Sequence, residues 1–485
     1  MELTVSLVSS LLQQLLIWGH LLLVVAFAVR VIMQRLPVGV SLAWLLVLVL
    51  LPYVGVVLYL LFGERFLGVK RAARTVRLRA YLDARRNGPH NHPECWRDSH
   101  PASKALARLE YHTSGIPPLG GNRVGFLQQT QDIIDSIVAD INNAKRFCHL
   151  EFYIWQSDGL VDRVMQALQA AAKRGVQCRI MLDAVGSAAF LSSSEMRLLR
   201  APNISVIKAC PIRFMPWRLA RYDLRNHRKT VIIDNQVAYM GSFNMVDPAY
   251  FKVSAGVGQW IDMMARIEGP TVQAFDGVFR WYWNIETDQE LPLLEHAIES
   301  NDSPALLQAA PSGPDEAKES ILNALLQAIY AAVETLDIVT PYFVPGEALE
   351  KALKIAARRG VRVRLIVPEK VDSFLVRHAS HSYFTGLLES GVKVYNYRSG
   401  LLHTKAVVID SSLAFFGTVN LDLRSLWLNF EMTMIIYDRA TAAELGRLVD
   451  GYRAEAELLC LESWRKRSAV SRFFENITHL FSPLI

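Results

Sequence analysis

Two long runs of apolar residues open the chain, from about Leu7 to Val29 and from about Val38 to Phe62, nearly free of charge and separated by a short turn with Pro37 and Gly39. Each run is long enough for a helix to cross a hydrocarbon core of ~30 Å. The pattern therefore predicts a transmembrane helical hairpin within residues 1–65 (about 7–29 and 38–62). No basic segment precedes the first run and a second run follows at once, which argues against a cleaved signal peptide. Arg30 and Arg35 lie in the turn, whereas Arg65, Lys70, Arg71, Arg74, Arg77, Arg79, Arg85 and Arg86 follow the second run. That imbalance predicts that this flank and everything after it face the cytoplasm, with the basic segment against anionic head groups.

Residues 66–120 read as this basic juxtamembrane segment and a linker rich in Pro, His, Gly and Asn. From about Arg123 the period changes. Phe147–Trp155 predicts a strand, Val161–Arg174 a helix and Val176–Leu182 the next strand, an alternation that argues a layered α/β domain. The order then recurs: AAKRGVQCRIML at 171–182 is answered by AARRGVRVRLIV at 356–367. Ahead of each lies an aromatic strand end, Phe152–Trp155 and Pro341–Val344. The polar, acidic stretch 285–304 would join the copies. A spacing of this size means duplication of a whole domain, not a solenoid. The halves are expected at 121–290 and 300–460, with an amphipathic tail at 461–485.

Composition adds two constraints. Half of the 485 residues are hydrophobic and the mean hydropathy is +0.19, which agrees with membrane segments. A net charge of +6 favours an anionic partner. The five cysteines form no C-x-x-C pair, so neither a disulfide framework nor a zinc site is indicated.

The chemistry concentrates in the repeat. His227-Arg228-Lys229 leads to Asp234, and His403-Thr404-Lys405 leads to Asp410; seven residues after each Asp come Gly241-Ser242-Phe243-Asn244 and Gly417-Thr418-Val419-Asn420. The Val/Ile-rich run after each Lys predicts a strand, on which His and Lys, two apart, face one side. Two such faces meeting at a pseudo-twofold would place two imidazoles and two ammoniums around one phosphate. Ser242, Asn244, Thr418 and Asn420 would add neutral donors to its oxygens. One histidine could then attack phosphorus while the other handles the proton of the alcohol. No carboxylate cluster suited to a metal is present in the sequence pattern, and no cofactor is expected.

This paired signature resembles the phospholipase D superfamily, and Gly241–Phe251 (GSFNMVDPAYF), Gly256–Asp262 (GVGQWID) and Gly417–Glu431 (GTVNLDLRSLWLNFE) resemble the bacterial cardiolipin synthases in particular. The resemblance implies an α/β fold of two duplicated phospholipase D-like layered domains, mixed sheets flanked by helices, sharing one active site. It implies that Asp262 and Glu431 orient the imidazoles, that Asp234 and Asp410 support the site, that His227 is the nucleophile and that His403 is the acid/base. It further implies transfer of a phosphatidyl group between two phosphatidylglycerols in a bacterial inner membrane. The partners expected are phosphatidylglycerol and anionic lipids, not nucleic acid. Hydrolysis, or transfer to another alcohol head group, uses the same motifs and stays open. Two stretches mix basic and aromatic residues: Arg213–Arg218 with Arg221 and Arg225, and the tail with Trp464, Arg465–Arg467, Arg472, Phe473, Phe474 and Phe481. Both suit a lipid interface.

Overall fold

The computed structural model describes residues 2–34, 36, 38–64, 71, 96, 99–211, 221, 223–287, 289, 291–292, 303, 305–315 and 319–480. The basic flank other than Arg71, the Arg213–Arg218 stripe, most of the joining segment 285–304 and Phe481 lie outside the described residues.

The N-terminal unit is helical. A first helix runs Glu2–Met33, a second Val38–Leu50, and a third Pro52–Leu58 passes into a π-turn at Tyr59–Gly63. The second apolar run is thus not one helix: it breaks at Leu51, before Pro52, which has no N–H to continue the ladder. The 13-residue piece reaches about 20 Å. Among the described residues no helix is long and apolar enough to cross a membrane; the side chains of residues 2–12 and 15–17 lie outside them. Inside the hairpin, Val31, Leu48 and Tyr59 are fully buried with Phe27 and Trp44 packed around them, and Arg30 forms a forked ion pair with Glu64 at 2.5 and 2.8 Å. The outer faces carry exposed Trp18, Leu22, Val25, Leu42, Leu46 and Val57.

The larger unit is built on strands. In chain order these are β1 (Leu119–Leu127), β2 (Phe147–Phe152), β3 (Gln177–Asp183), β4 (Ile204–Ala209), β5 (Thr230–Ile233), β6 (Val237–Gly241), β7 (Trp260–Ile261), β8 (Met264–Glu268), β9 (Ala305–Ser312), β10 (Thr335–Val339), β11 (Phe343–Val344), β12 (Arg362–Pro368), β13 (Lys393–Tyr397), β14 (Leu401–Leu402), β15 (Ala406–Ile409), β16 (Leu413–Gly417), β17 (Leu421–Asp422), β18 (Glu431–Ile436) and β19 (Ala456–Leu458). Fifteen of them form one mixed sheet in the order β19-β13-β12-β10-β15-β16-β18-β9-β1-β8-β6-β5-β2-β3-β4. Reading outward from the β9–β1 seam gives the same succession of seven strands twice, with β19 added at one edge, so the duplication expected from the repeat is the architecture. Within each half one trio, β2-β3-β4 or β10-β12-β13, is parallel and the remaining pairings are antiparallel, including that of the edge strand β19 with β13. Helices cover both faces, which is why β5 (TVII) and β15 (AVVI), apolar but for Thr230, are buried throughout. The helices Val161–Lys173 and Gly346–Arg358 are each followed, two residues on, by a left-handed glycine, Gly175 (φ 91°) and Gly360 (φ 95°), the usual way to end a helix before a buried strand.

Two expectations need correction. The strand expected over Phe147–Trp155 stops at Phe152, because the Trp155 N–H turns to the Ser187 hydroxyl at 3.0 Å. His227–Lys229 and His403–Lys405 precede β5 and β15 and do not lie on them: their backbone is used to reach the other half, His227 N to Phe430 O (2.9 Å) and His403 N to Ile261 O (2.8 Å). Asp234 and Asp410 stand at the far ends of those strands, five residues past each lysine, about 16 Å of extended chain.

Their position explains their chemistry. The Asp234 carboxylate accepts the backbone N–H groups of Lys145 (2.6 Å), Arg146 (2.8 Å) and Phe147 (2.8 Å). Asp410 accepts those of Val333 (2.8 Å), Glu334 (2.7 Å) and Thr335 (2.7 Å), and His100 adds a contact at 3.1 Å. Each therefore brackets the turn that leads into β2 or β10. Both sit in the left-handed region, at φ 52° and 49°, a conformation Asp tolerates better than most residues. Asp234→Ala and Asp410→Ala are each expected to strand these donors and cost about 3 kcal/mol. Thermal unfolding should shift down by several degrees while turnover per folded molecule stays near the parent's. Unchanged melting with turnover lost would assign them to the chemistry after all.

Candidate active site

The site forms where the two halves exchange segments. Leu401–Leu402 of β14 pairs in parallel with Trp260–Ile261 of β7, and in the equivalent place Asn226 bridges Phe430. Each pairing sets a histidine of one half beside the carboxylate that follows the partner segment of the other. His227 Nδ1 lies 2.8 and 2.9 Å from the two oxygens of Glu431, and His403 Nδ1 lies 2.7 Å from Oδ1 of Asp262. Asp262 and Glu431 thus each meet the opposite half's imidazole.

Protonation follows from this geometry. Burial pushes the Glu431 carboxyl up, but His227, Lys229 and the Thr418 hydroxyl outweigh it and hold it below its ordinary value. Burial likewise opposes, and His403, Lys405 and Ser242 overcome, the shift at Asp262. Both acids are therefore anionic acceptors, so each Nδ1 carries the hydrogen and each neutral ring keeps its lone pair on Nε2. Burial lowers both imidazoles to about 4; Lys229 or Lys405 adds to the effect and the paired carboxylate opposes it.

The lysines complete the cluster. Lys229 Nζ donates to the His227 carbonyl at 2.6 Å and Lys405 Nζ to the His403 carbonyl at 2.5 Å. Burial brings Lys229 down to about 8, with Glu431 and Asp262 resisting. Burial also drives Lys405 well below its usual value, and repulsion from Lys229 adds to it. The ammoniums are close enough to feel each other and both carboxylates across the pseudo-twofold.

The neutral donors divide. Ser242 Oγ donates to Asp262 Oδ1 at 2.6 Å and accepts from Met263 N at 3.0 Å; Thr418 Oγ1 donates to Glu431 Oε2 at 2.5 Å and accepts from Met432 N at 2.9 Å. A hydroxyl has one hydrogen, so neither is a phosphate donor as expected; both brace the carboxylates. Gly241 and Gly417 precede them because a Cβ there would sit 2.3 Å from the Met263 or Met432 carbonyl. Asn244 Oδ1 accepts the Ile154 N–H at 3.2 Å, and the Asn420 amide hydrogen-bonds Asp422. Among the described residues no group of three or more His, Cys, Asp or Glu could hold a metal ion.

Several contributors were not singled out from the sequence. The Tyr153 ring packs edge-on against His227 at 4.9 Å and Trp260 against His403 at 4.3 Å. Asn429 Nδ2 donates to Glu431 Oε1 at 3.2 Å. Buried Arg228 donates from Nε to the Glu431 carbonyl at 2.9 Å and stacks 3.7 Å over Tyr282. The signal for Trp260 and Asn429 was their place two residues before each orienting carboxylate. Arg228 occupies the variable position between His and Lys, where the motif itself predicts nothing.

Comparison with known proteins gives the family. The family model described as "Cardiolipin synthase, PLD-like domain" matches residues 137–283 and 325–451, and "Phospholipase_D-nuclease N-terminal" matches residues 22–64. The chain is 42% identical over 479 residues to cardiolipin synthase A of Klebsiella pneumoniae (strain 342), covering 97% of this chain and 98% of that protein. It is 43% identical, with the same coverage, to cardiolipin synthase A of Yersinia pseudotuberculosis serotype O:1b (strain IP 31758). The crystal structure of phosphatidylserine synthase from Haemophilus influenzae Rd KW20 superposes with a TM-score of 0.56 at 15% identity, covering 79% of this chain and all of that one, a likeness of fold. The crossed histidine–carboxylate pairs thus sit in a chain that belongs to the cardiolipin synthase family of phospholipase D-like proteins.

Proposed function

We propose that this chain is a phosphatidyltransferase that joins two phosphatidylglycerols into cardiolipin and releases glycerol. The observation that carries the reading is the pair of neutral imidazoles, each held at Nδ1 by the other half's carboxylate and flanked by a lysine. In this scheme His227 Nε2 attacks phosphorus and the P–O bond to glycerol breaks. The leaving oxygen takes a proton from His403, whose protonated form is favoured by the bound diester's negative charge. The hydroxyl of a second phosphatidylglycerol then attacks the phosphatidyl-histidine, His403 removes its proton, and the P–N bond breaks. Lys229, Lys405 and the amides of Asn244 and Asn420 spread the charge on the non-bridging oxygens. No cofactor enters the scheme.

The N-terminal hairpin is the membrane anchor in this reading. Its exposed Trp18, Leu22, Leu42, Leu46 and Val57 would otherwise meet water. The basic residues between Arg65 and Arg86 support a cytoplasmic position of the catalytic unit at a bacterial inner membrane.

Three outcomes are expected. Purified protein given phosphatidylglycerol alone should form cardiolipin and glycerol; phosphatidic acid plus glycerol would convert the reading to a hydrolase. His403→Asn, given a p-nitrophenyl phosphodiester whose leaving group needs no acid, should accumulate an adduct on His227 visible by mass spectrometry. Its rate of formation should rise as pH passes about 4, where the His227 imidazole becomes neutral, and fall above about 8, where the Lys229 ammonium is lost. An adduct on His403 in the reciprocal variant alone would reverse the roles. Finally, a cysteine placed at Ala80 should resist a membrane-impermeant thiol reagent in intact cells and react after lysis; labelling of intact cells would overturn the orientation.

A further inference from the structure

The last helix, Ala469–Leu480, is built inside out. Its buried residues are Glu475 (3% exposed) and Thr478 (5%), whereas Val470 (64%), Phe473 (62%), Phe474 (48%) and Leu480 (76%) face outward. At 100° per residue these four fall on one stripe, so the apolar face is the solvent-side face. Soluble helices bury that face and hydrate the other.

Polar contacts hold it in this orientation. Glu475 pairs with Arg467 and lies 3.8 Å from His381, Ser471 Oγ donates to Glu475 at 3.2 Å, and His479 meets Ser382 at 3.2 Å. The helix is therefore seated by its polar side on the helix Phe374–Glu389, which itself exposes Phe374 and Leu375 at its first turn. Just before that turn, Asp372 holds Lys252 at 2.8 Å and accepts from the Tyr342 hydroxyl at 2.7 Å. That ion pair ties the two halves together.

Charge decides what the stripe meets. The helix's acidic residue, Glu475, is buried and neutralised by Arg467, whereas Arg472 on the helix and Lys466 just before it are exposed. An apolar stripe flanked by exposed cations suits an anionic bilayer surface, with the phenyl rings in the acyl boundary and the cations among phosphates. We propose that the helix Ala469–Leu480 docks on an anionic lipid bilayer through Val470, Phe473, Phe474 and Leu480. It thereby holds the catalytic unit against the surface that supplies its substrate. This rests on the reading of the site as one that acts on phospholipid head groups.

The test uses the full chain reconstituted in vesicles of phosphatidylglycerol and phosphatidylcholine, with benzoylphenylalanine at position 474 or, as a control, at Asn476. Irradiation should give lipid adducts at position 474 and few at Asn476. The yield should fall several-fold in phosphatidylcholine alone, where the charge attraction is lost. Cross-linked dimers would make the stripe a contact between copies, and equal lipid yields at the two positions would remove its direction; either result overturns the proposal. Independently, the double substitution Phe473→Ser/Phe474→Ser should slow turnover of vesicle phosphatidylglycerol about tenfold. It should leave a soluble short-chain diester unaffected. Equal effects on both substrates would mean a structural role and count against docking. Lipid adducts at position 474 in a protein that makes no cardiolipin would sink the transferase reading and leave the docking intact. Cardiolipin formation without such adducts would do the reverse.

Discussion

Everything at the centre of this molecule depends on one constraint: each catalytic-site histidine takes its carboxylate from the other half. Neither half can build a competent imidazole alone, because Glu431 belongs to β18 and His227 precedes β5, while Asp262 follows β7 and His403 precedes β15. The crossing is enforced by backbone pairing on both sides, β14 on β7 and Asn226 on Phe430. It also needs the halves fixed in register, which the β9–β1 seam supplies through Leu119↔Leu307 and Asn122↔Ala305. The Asn122 side chain reinforces the seam by donating to the Ala305 carbonyl at 3.1 Å. Sheet continuity and imidazole tautomer are thus parts of one mechanical arrangement.

The same arrangement buries two lysines and two carboxylates in one small volume. Desolvation acts against all four, and their mutual attraction restores the carboxylates to the anionic state but leaves both lysines below their usual values. The lysines repel each other; each is hydrogen-bonded to its own motif's carbonyl, and Lys229 also lies 5.5 Å over the Tyr153 ring. An anion lodged between them relieves that repulsion, which favours a phosphodiester. Binding also restores the positive charge that transition-state stabilisation requires.

Much of this was legible in the sequence because it rests on local rules. The paired motifs, the alternating elements and the helix-ending glycines Gly175 and Gly360 depend on residues close in the chain. Pairing across the halves is not local. Nothing in the spacing of Ser242 or Thr418 tells whether a hydroxyl faces substrate or a carboxylate about 20 residues or 13 residues away, and only the fold decides that each faces the carboxylate. The motif aspartates were legible as motif members, yet their work at turns some 90 or 75 residues earlier appears only once the strands are paired. The hairpin shows the opposite failure. Hydropathy treats Pro52 as one more residue in an apolar run, but backbone chemistry makes it a break.

The near-twofold symmetry is broken at the two carboxylates, and the difference bears on which histidine does what. Glu431 is fully engaged: Oε1 meets His227 and Asn429, and Oε2 meets Thr418 and His227. In Asp262, Oδ1 accepts both Ser242 and His403, while buried Oδ2 has no partner among the described residues. A carboxylate with fewer donors keeps more charge and is the stronger base, so it stabilises an imidazolium better. The counterpart of Asn429 two residues ahead of Asp262 is Trp260, which offers its ring to His403 rather than a donor to the acid. Likewise Thr404 stands in the second motif where Arg228 stands in the first, and Arg228 reaches the Glu431 carbonyl. These differences set the two sides of the site apart although burial lowers both imidazoles to about 4: the carboxylate facing His227 is held by donors on both oxygens, and the one facing His403 on one.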